Sequence, residues 1–114
     1  MTWRNIERNR DLFLGLLSKA HSIIVFDTET TGLGSNAKII EFAGIRYEVR
    51  EQELVATGSL HRMINPQEPL EEKIVEITGI TDEVLSHANP EEIEAPEIFS
   101  FLESADTWAA YNCG

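Results

Sequence analysis

Cysteine is almost absent. The single one, Cys113, excludes an intrachain disulfide framework and a cysteine-rich zinc site, and it fits a reducing, cytosolic compartment. Long apolar runs are missing too. No stretch approaches the roughly 18 residues that a bilayer span requires. The N-terminus, with Arg4, Glu7, Arg8, Arg10 and Asp11, lacks a signal-peptide core. A cytoplasmic protein with no membrane association is therefore expected. Basic residues are scarce and unevenly spread: 9 Lys and Arg stand against 20 Asp and Glu, a net charge of −11. Residues 1–65 hold eight acids and eight bases, whereas residues 66–114 hold twelve acids and one base, Lys73. Such a chain lacks the usual electrostatic footprint of a nucleic-acid binder, so any role on nucleic acid calls for metal ions or for basic surface from elsewhere.

The 114 residues, 42% apolar and 25% charged, amount to one globular domain or part of one. Residues 3–20 read as an amphipathic helix, with Trp3, Ile6, Phe13, Leu17 and Ala20 on one face. Ile23-Ile24-Val25-Phe26 is a short β-rich run suited to a central strand covered on both faces. It stops at Asp27, and residues 28–36 read as a turn. Residues 38–49 and 54–64 form two further strands, and the polar turn Arg50-Glu51-Gln52-Glu53 makes them an antiparallel hairpin. A helix follows from about Leu70, with Leu70, Ile74 and Ile77 on one face and Gly79 closing it. Residues 81–86 add a helical turn. Asn89-Pro90 opens another helix, with Ile98, Leu102 and Ala105 as its apolar face and Pro96 expected to kink or restart it. Residues 107–112 read as a fourth strand. The order implies an α/β fold with an antiparallel hairpin on one side.

Chemistry concentrates at Asp27-x-Glu29. Asp27 ends a hydrophobic strand, so its carboxylate emerges at the C-terminal edge of a sheet, where open α/β folds bind ligands. Glu29 reaches the same side if the chain stays extended. Two carboxylates so close repel, and a divalent cation removes the penalty; all-oxygen ligation suits Mg2+ or Mn2+. A pair of turn residues at a strand end is the competing reading. Thr30-Thr31-Gly32-Leu33 adds two hydroxyls, a flexible glycine whose turn amides can hold an anion, and an apolar side chain able to pack on a flat base.

The segment from Ile23 to Leu33 resembles the first motif of the DEDD 3′–5′ exonucleases, a group that includes the proofreading epsilon subunit of bacterial DNA polymerase III and ribonuclease T. Lys38-Ile39-Ile40-Glu41-Phe42-Ala43 resembles the family's second strand. Ile64-Asn65-Pro66 and Ile77-Thr78-Gly79-Ile80-Thr81 resemble its loops, and residues 108–114 resemble the start of its second motif. The resemblance implies a ribonuclease-H-like mixed sheet of order 3-2-1-4, with a fifth strand beyond this chain, and two divalent cations, Mg2+ or Mn2+, hydrolysing phosphodiesters at the 3′ end of single-stranded DNA or RNA. It implies that Asp27 bridges both ions, that Glu29 ligates one, and that Thr30, Thr31, Gly32 and Leu33 contact the terminal nucleotide. Glu41 and Asn112 are candidates for supporting the carboxylates from behind. His21, His61 and His87 read as surface or strand histidines and Cys113 as a packing residue.

In the family, Phe-Asp follows directly after the position of Gly114, and a fourth carboxylate with a His or Tyr comes later. Residues 1–114 contain no match to these. The expectation is a helix at 1–20 followed, over 21–114, by the N-terminal part of an exonuclease domain cut within its second motif and incomplete for catalysis by itself. The sheet left without its last strand is expected to expose Trp108, Ala110 and part of residues 23–26, and to invite a polymerase partner or self-association. The alternative is a non-catalytic module that keeps half of the fold and binds a partner.

Overall fold

The structure is a computed structural model that describes residues 21–32 and 36–111. The helix expected at 3–20, Leu33, and Asn112, Cys113 and Gly114 lie outside the described residues. The apolar run at 23–26 seeds the central strand β1 (Ser22–Thr30). Strand β2 (Ile39–Arg50) runs antiparallel to it, and β3 (Glu53–Asn65) runs antiparallel to β2. The β2–β3 connection is a two-residue turn in which Glu51 and Gln52 both take positive φ, 53° and 65°. That geometry belongs to a type I′ turn, whose twist matches the hairpin.

Two short helices follow, α1 (Glu72–Thr78) and α2 (Asp82–Ser86). Gly79 closes α1 in the left-handed conformation, φ 74°, as its position in the sequence implies. The Thr81 hydroxyl caps α2 by accepting from the Val84 amide. A two-residue strand, β4 (Asn89–Pro90), then lies parallel against the end of β3. Helix α3 (Glu91–Glu103) leads to β5 (Thr107–Ala110), which pairs in parallel with β1. The sheet order is β4-β3-β2-β1-β5. The expected 3-2-1-4 arrangement is therefore present in β3-β2-β1-β5, with the small β4 added at the outer edge. Asn89-Pro90 was expected as part of a helix start. Its backbone is instead extended, consistent with the bias of a residue before proline toward β conformations.

Four further expectations are corrected. Strand β1 does not stop at Asp27; pairing with β2 carries it to Thr30, because an antiparallel ladder stabilises polar residues that by themselves read as a turn. At the far end, β5 closes at Ala110. Pro96 does not restart the helix, and α3 is continuous from 91 to 103. Proline's fixed φ is helical, and its cost falls on the preceding turn alone. Ile77 does not join Leu70 and Ile74 in the core and is 69% exposed. Helix α1 starts only at Glu72, and it turns Ile74 and Val75 inward instead.

The sheet has one apolar cluster on each face and a third at one end. On one face Ile24, Phe42 and Ile64 pack against Ile98 and Leu102 of α3, with Phe26, Leu60, Phe101 and Ala105 around them. On the other face Ile23, Val25 and Tyr47 cluster with Ile45, Val49, Leu54, Ala109 and Tyr111. Ile40, Leu70, Ile80 and Leu85 seat α1 and α2. Arg62 ties α3 to the sheet through Glu97, at 2.8 Å. Trp108 is 54% exposed and Ala110 is exposed, as expected. Ile23, Ile24 and Val25 are not: each is at most 1% exposed, because β1 lies between β2 and β5 and each of its faces carries an apolar cluster.

Candidate active site at the end of the central strand

Parallel pairing of β1 with β5 ends at Phe26↔Ala110, followed by a hydrogen bond from the Tyr111 amide to the Phe26 carbonyl at 2.6 Å. From Asp27 onward β1 has, among the described residues, β2 alone as its ladder partner. Asp27 thus sits where the parallel pairing of β1 with β5 ends, the kind of position at which α/β sheets open a crevice. Glu29 lies two residues on, and the strand is extended, so both side chains leave the same face, roughly 6–7 Å apart along the chain. The sequence expectation of a shared face holds. It is the face of Ile23 and Val25, opposite the one that α3 covers.

Both carboxylates are half-buried. One oxygen of Asp27 accepts from the Thr28 amide at 2.9 Å. Glu29 lies directly across from Glu41 of β2. Two carboxylates facing each other across a ladder repel, and Glu41 is engaged elsewhere, with His61 Nε2 at 2.6 Å. Immediately after this pair the register shifts: Glu29 faces Glu41 but Thr30 faces Ile39, leaving Ile40 as the extra residue of a β-bulge. Ile40 is fully buried, so its packing against Leu70, Ile80 and Leu85 anchors the bulge beside the carboxylates. Bulges at such places re-aim side chains.

The turn that follows is held by the residues expected to meet a nucleotide. The Thr30 hydroxyl donates to the Gly32 carbonyl at 2.9 Å. The Thr31 amide donates to the Lys38 carbonyl at 2.8 Å, and the Thr31 hydroxyl accepts from the Lys38 amide at 2.9 Å. Thr31 keeps its own O–H for another acceptor. Gly32 has φ 156°, which residues with a side chain rarely adopt. The Lys38 ammonium donates to the Pro66 carbonyl at 3.1 Å and pairs with Glu68 at 3.4 Å, fixing this turn to the segment before α1. Between them lies an open groove of about 600 Å³ whose lining includes Thr31, Gly32, Pro69, Leu70, Lys73 and Ile74. It begins two residues beyond Glu29.

The donor set of Asp27 and Glu29 is all oxygen, half-buried and negatively charged, which fits a hard divalent cation. Among the described residues no group of three or more His, Cys, Asp or Glu side chains forms a complete metal cage. Leu33 and Asn112 lie outside the described residues. Glu41 lies on the carboxylate face, as a supporting residue requires. Sequence reading missed the His61–Glu41 contact: the two residues are twenty positions apart and meet through the β2–β3 register. No helix among the described residues is long and apolar enough to cross a membrane.

Comparison with known proteins bears on this geometry. The RNase T family profile, described as "Exonuclease", matches residues 24–114. The DNA polymerase III PolC-type of Staphylococcus aureus is 37% identical over 91 residues, covering 79% of this chain and 6% of the polymerase. The chain therefore spans only a small part of the curated relatives it matches. Among solved structures, the nuclease domain of 3′hExo, described as a DEDDh family member bound to rAMP, superposes with a TM-score of 0.63 at 19% identity, covering 85% of this chain and 54% of that one. Exonuclease I from Methylocaldum szegediense gives 0.67 at 23% identity, covering 80% and 20%. At these identities the likeness establishes a shared fold.

Proposed function

We propose, from the premise that this chain belongs to the RNase T family of exonucleases, that it supplies half of a metal-dependent 3′–5′ exonuclease site. Asp27 and Glu29 are its acidic residues, and the groove beside them receives the nucleotide at the 3′ end. The observation that carries this reading is the pair of carboxylates on one face of β1, at the point where β5 ends and a groove begins. Two divalent cations, Mg2+ or Mn2+, are the group these residues would hold; when bound, such ions offset the charge of the scissile phosphate and of the attacking water.

The chain's own residues do the rest. Asp27 would serve both cations and Glu29 one of them. The repulsion between the two carboxylates disfavours the empty site and favours the loaded one. The Thr31–Lys38 contacts keep the turn in place beside them, and the Thr31 O–H, with no acceptor among the described residues, is available to a phosphate or sugar oxygen. The terminal base enters the groove against Leu70 and Ile74. A chain with net charge −11 meets a polyanion in this reading through the cations at Asp27 and Glu29. The 37% identity to a PolC-type DNA polymerase favours a DNA 3′ end and a polymerase context, in which the exposed Trp108 at the β5 edge meets further protein.

The test is degradation of a 5′-labelled single-stranded oligonucleotide by the chain extended through the family's later motifs, in Mg2+ or Mn2+. Stepwise shortening from the 3′ end, abolished by chelation and by Asp27→Ala, is expected. Metal-dependent shortening that survives Asp27→Ala would assign the chemistry to other residues.

A further inference from the structure

We propose that His61 is a positioning residue: it holds the Glu41 carboxylate off the cation site of Asp27 and Glu29, so that the site keeps two strand carboxylates rather than three. The inference rests on the metal-site reading above. Its starting point is the three-strand register. Glu29 on β1, Glu41 on β2 and Met63 on β3 form one row across the sheet, and Asp27, Ala43 and His61 form the neighbouring row on the same face. Directly opposed residues hold their Cβ atoms about 4.5–5.5 Å apart. A cation on Glu29 is therefore within the reach of a Glu41 side chain turned toward β1. Such a third carboxylate would bind the ion strongly and draw it toward β2, away from the line between Asp27 and Glu29.

Glu41 is instead turned the other way. Its Oε2 accepts from His61 Nε2 at 2.6 Å, a contact that runs diagonally to the neighbouring row. A carboxylate only accepts, so Nε2 carries the proton in this contact. Met63, directly opposite Glu41, has neither charge nor a donor and cannot do the same. Ala43, between Asp27 and His61, is small enough to leave the imidazole room to lean across. The pair is partly solvated, with Glu41 29% and His61 61% exposed, so the contact is modest in strength.

Mn2+ binding to the 114-residue chain, read from the electron paramagnetic resonance signal of free Mn2+, tests this without reference to activity. Asp27→Ala is expected to abolish binding. His61→Ala is expected to tighten it roughly two- to fivefold, the scale of one exposed charged contact. His61→Gln, which keeps an N–H donor at the same reach, should stay near the parent. His61→Ala combined with Glu41→Gln should bind no tighter than Glu41→Gln alone. Thermal midpoints measured in parallel verify that each variant is folded. If Asp27→Ala abolishes binding while His61→Ala leaves it unchanged or weakens it, the positioning role is wrong and the metal site stands. If Asp27→Ala leaves binding intact, both fall together.

Discussion

Gly44→Ala is a single methyl placed where the sheet and α3 meet most closely. Gly44 lies in the middle of β2, opposite Phe26 and Leu60, on the face that α3 covers. A Cβ added there would stand 2.9 Å from Phe101 Cε2 and 3.2 Å from two ring carbons of Phe42. The Phe42 ring cannot retreat, because it is 2% exposed and stacked on Phe26 at a centroid distance of 5.6 Å. Phe101 therefore has to move, and with it the edge-to-face contact that it makes with Phe42 at 6.3 Å and 85°. Overpacking of this kind costs about 1–3 kcal/mol. The gain from replacing a flexible glycine returns about 0.4–1 kcal/mol of that, so the net loss is about 1–2 kcal/mol. For a domain of this size that lowers the midpoint of thermal unfolding by roughly 5–15 °C. Circular dichroism melts of the parent and the variant measure it. Adding Phe101→Leu, which removes the ring edge that the methyl strikes, should cost less in the Gly44→Ala background than in the parent, since the two positions are in contact. A Gly44→Ala chain as stable as the parent would refute the view that α3 is seated directly on β2 at this glycine.

Other perturbations read different parts of the structure. Burial pushes the Tyr47 hydroxyl from 10.0 up to about 12. A raised folded pKa means stability is full below pH 10 and falls as pH rises from about 10 toward 12; Tyr47→Phe should remove this alkaline slope in urea titrations. The backbone amide of His21 beside it holds the Asp106 carboxyl below the usual range, and that contact links the start of β1 to the start of β5. This stabilisation is present above the unfolded carboxyl pKa and is lost as pH falls through the folded one, so Asp106→Asn should flatten the acid side of the stability profile. Gly32→Ala meets open space but inherits φ 156°. It should cost about 1–2 kcal/mol through backbone strain alone, and, if the proposed site is right, it should slow 3′-end hydrolysis by the chain extended through the family's later motifs more than its stability loss explains, because the strain falls on the Thr30–Gly32 turn.

The central strand and its carboxylates were legible because they depend on short-range patterns. An apolar run followed by Asp-x-Glu places both acids on one face whenever the chain stays extended, and β2 keeps it so. The hairpin and the closing role of Gly79 were legible for the same reason. What escaped depends on distant partners. The reach of β1 to Thr30 follows from pairing with β2, not from Thr28, Glu29 and Thr30 themselves. The bulge at Ile40 exists only against β1 and is anchored by Leu70, Ile80 and Leu85, thirty or more residues away. Ile77 fits the helical period of Leu70 and Ile74, yet α1 begins too late to carry all three on one face. The His61–Glu41 contact needs the β2–β3 register, and the tight fit of Gly44 needs α3 above it. Asp27 and Glu29 could therefore be named from the sequence, while the surroundings that orient them needed the fold.

Whether Asp27 and Glu29 form the cation site is tested most directly by nuclear magnetic resonance of the 15N-labelled chain during a Mn2+ titration, because paramagnetic broadening reports proximity to the ion residue by residue. The account predicts that amides of residues 27–31 and 41 broaden first, and that Asp27→Asn removes this pattern while the remaining spectrum stays dispersed as in the parent. Broadening centred on the acid-rich segments at 68–76 or 91–97, unchanged in Asp27→Asn, would contradict it.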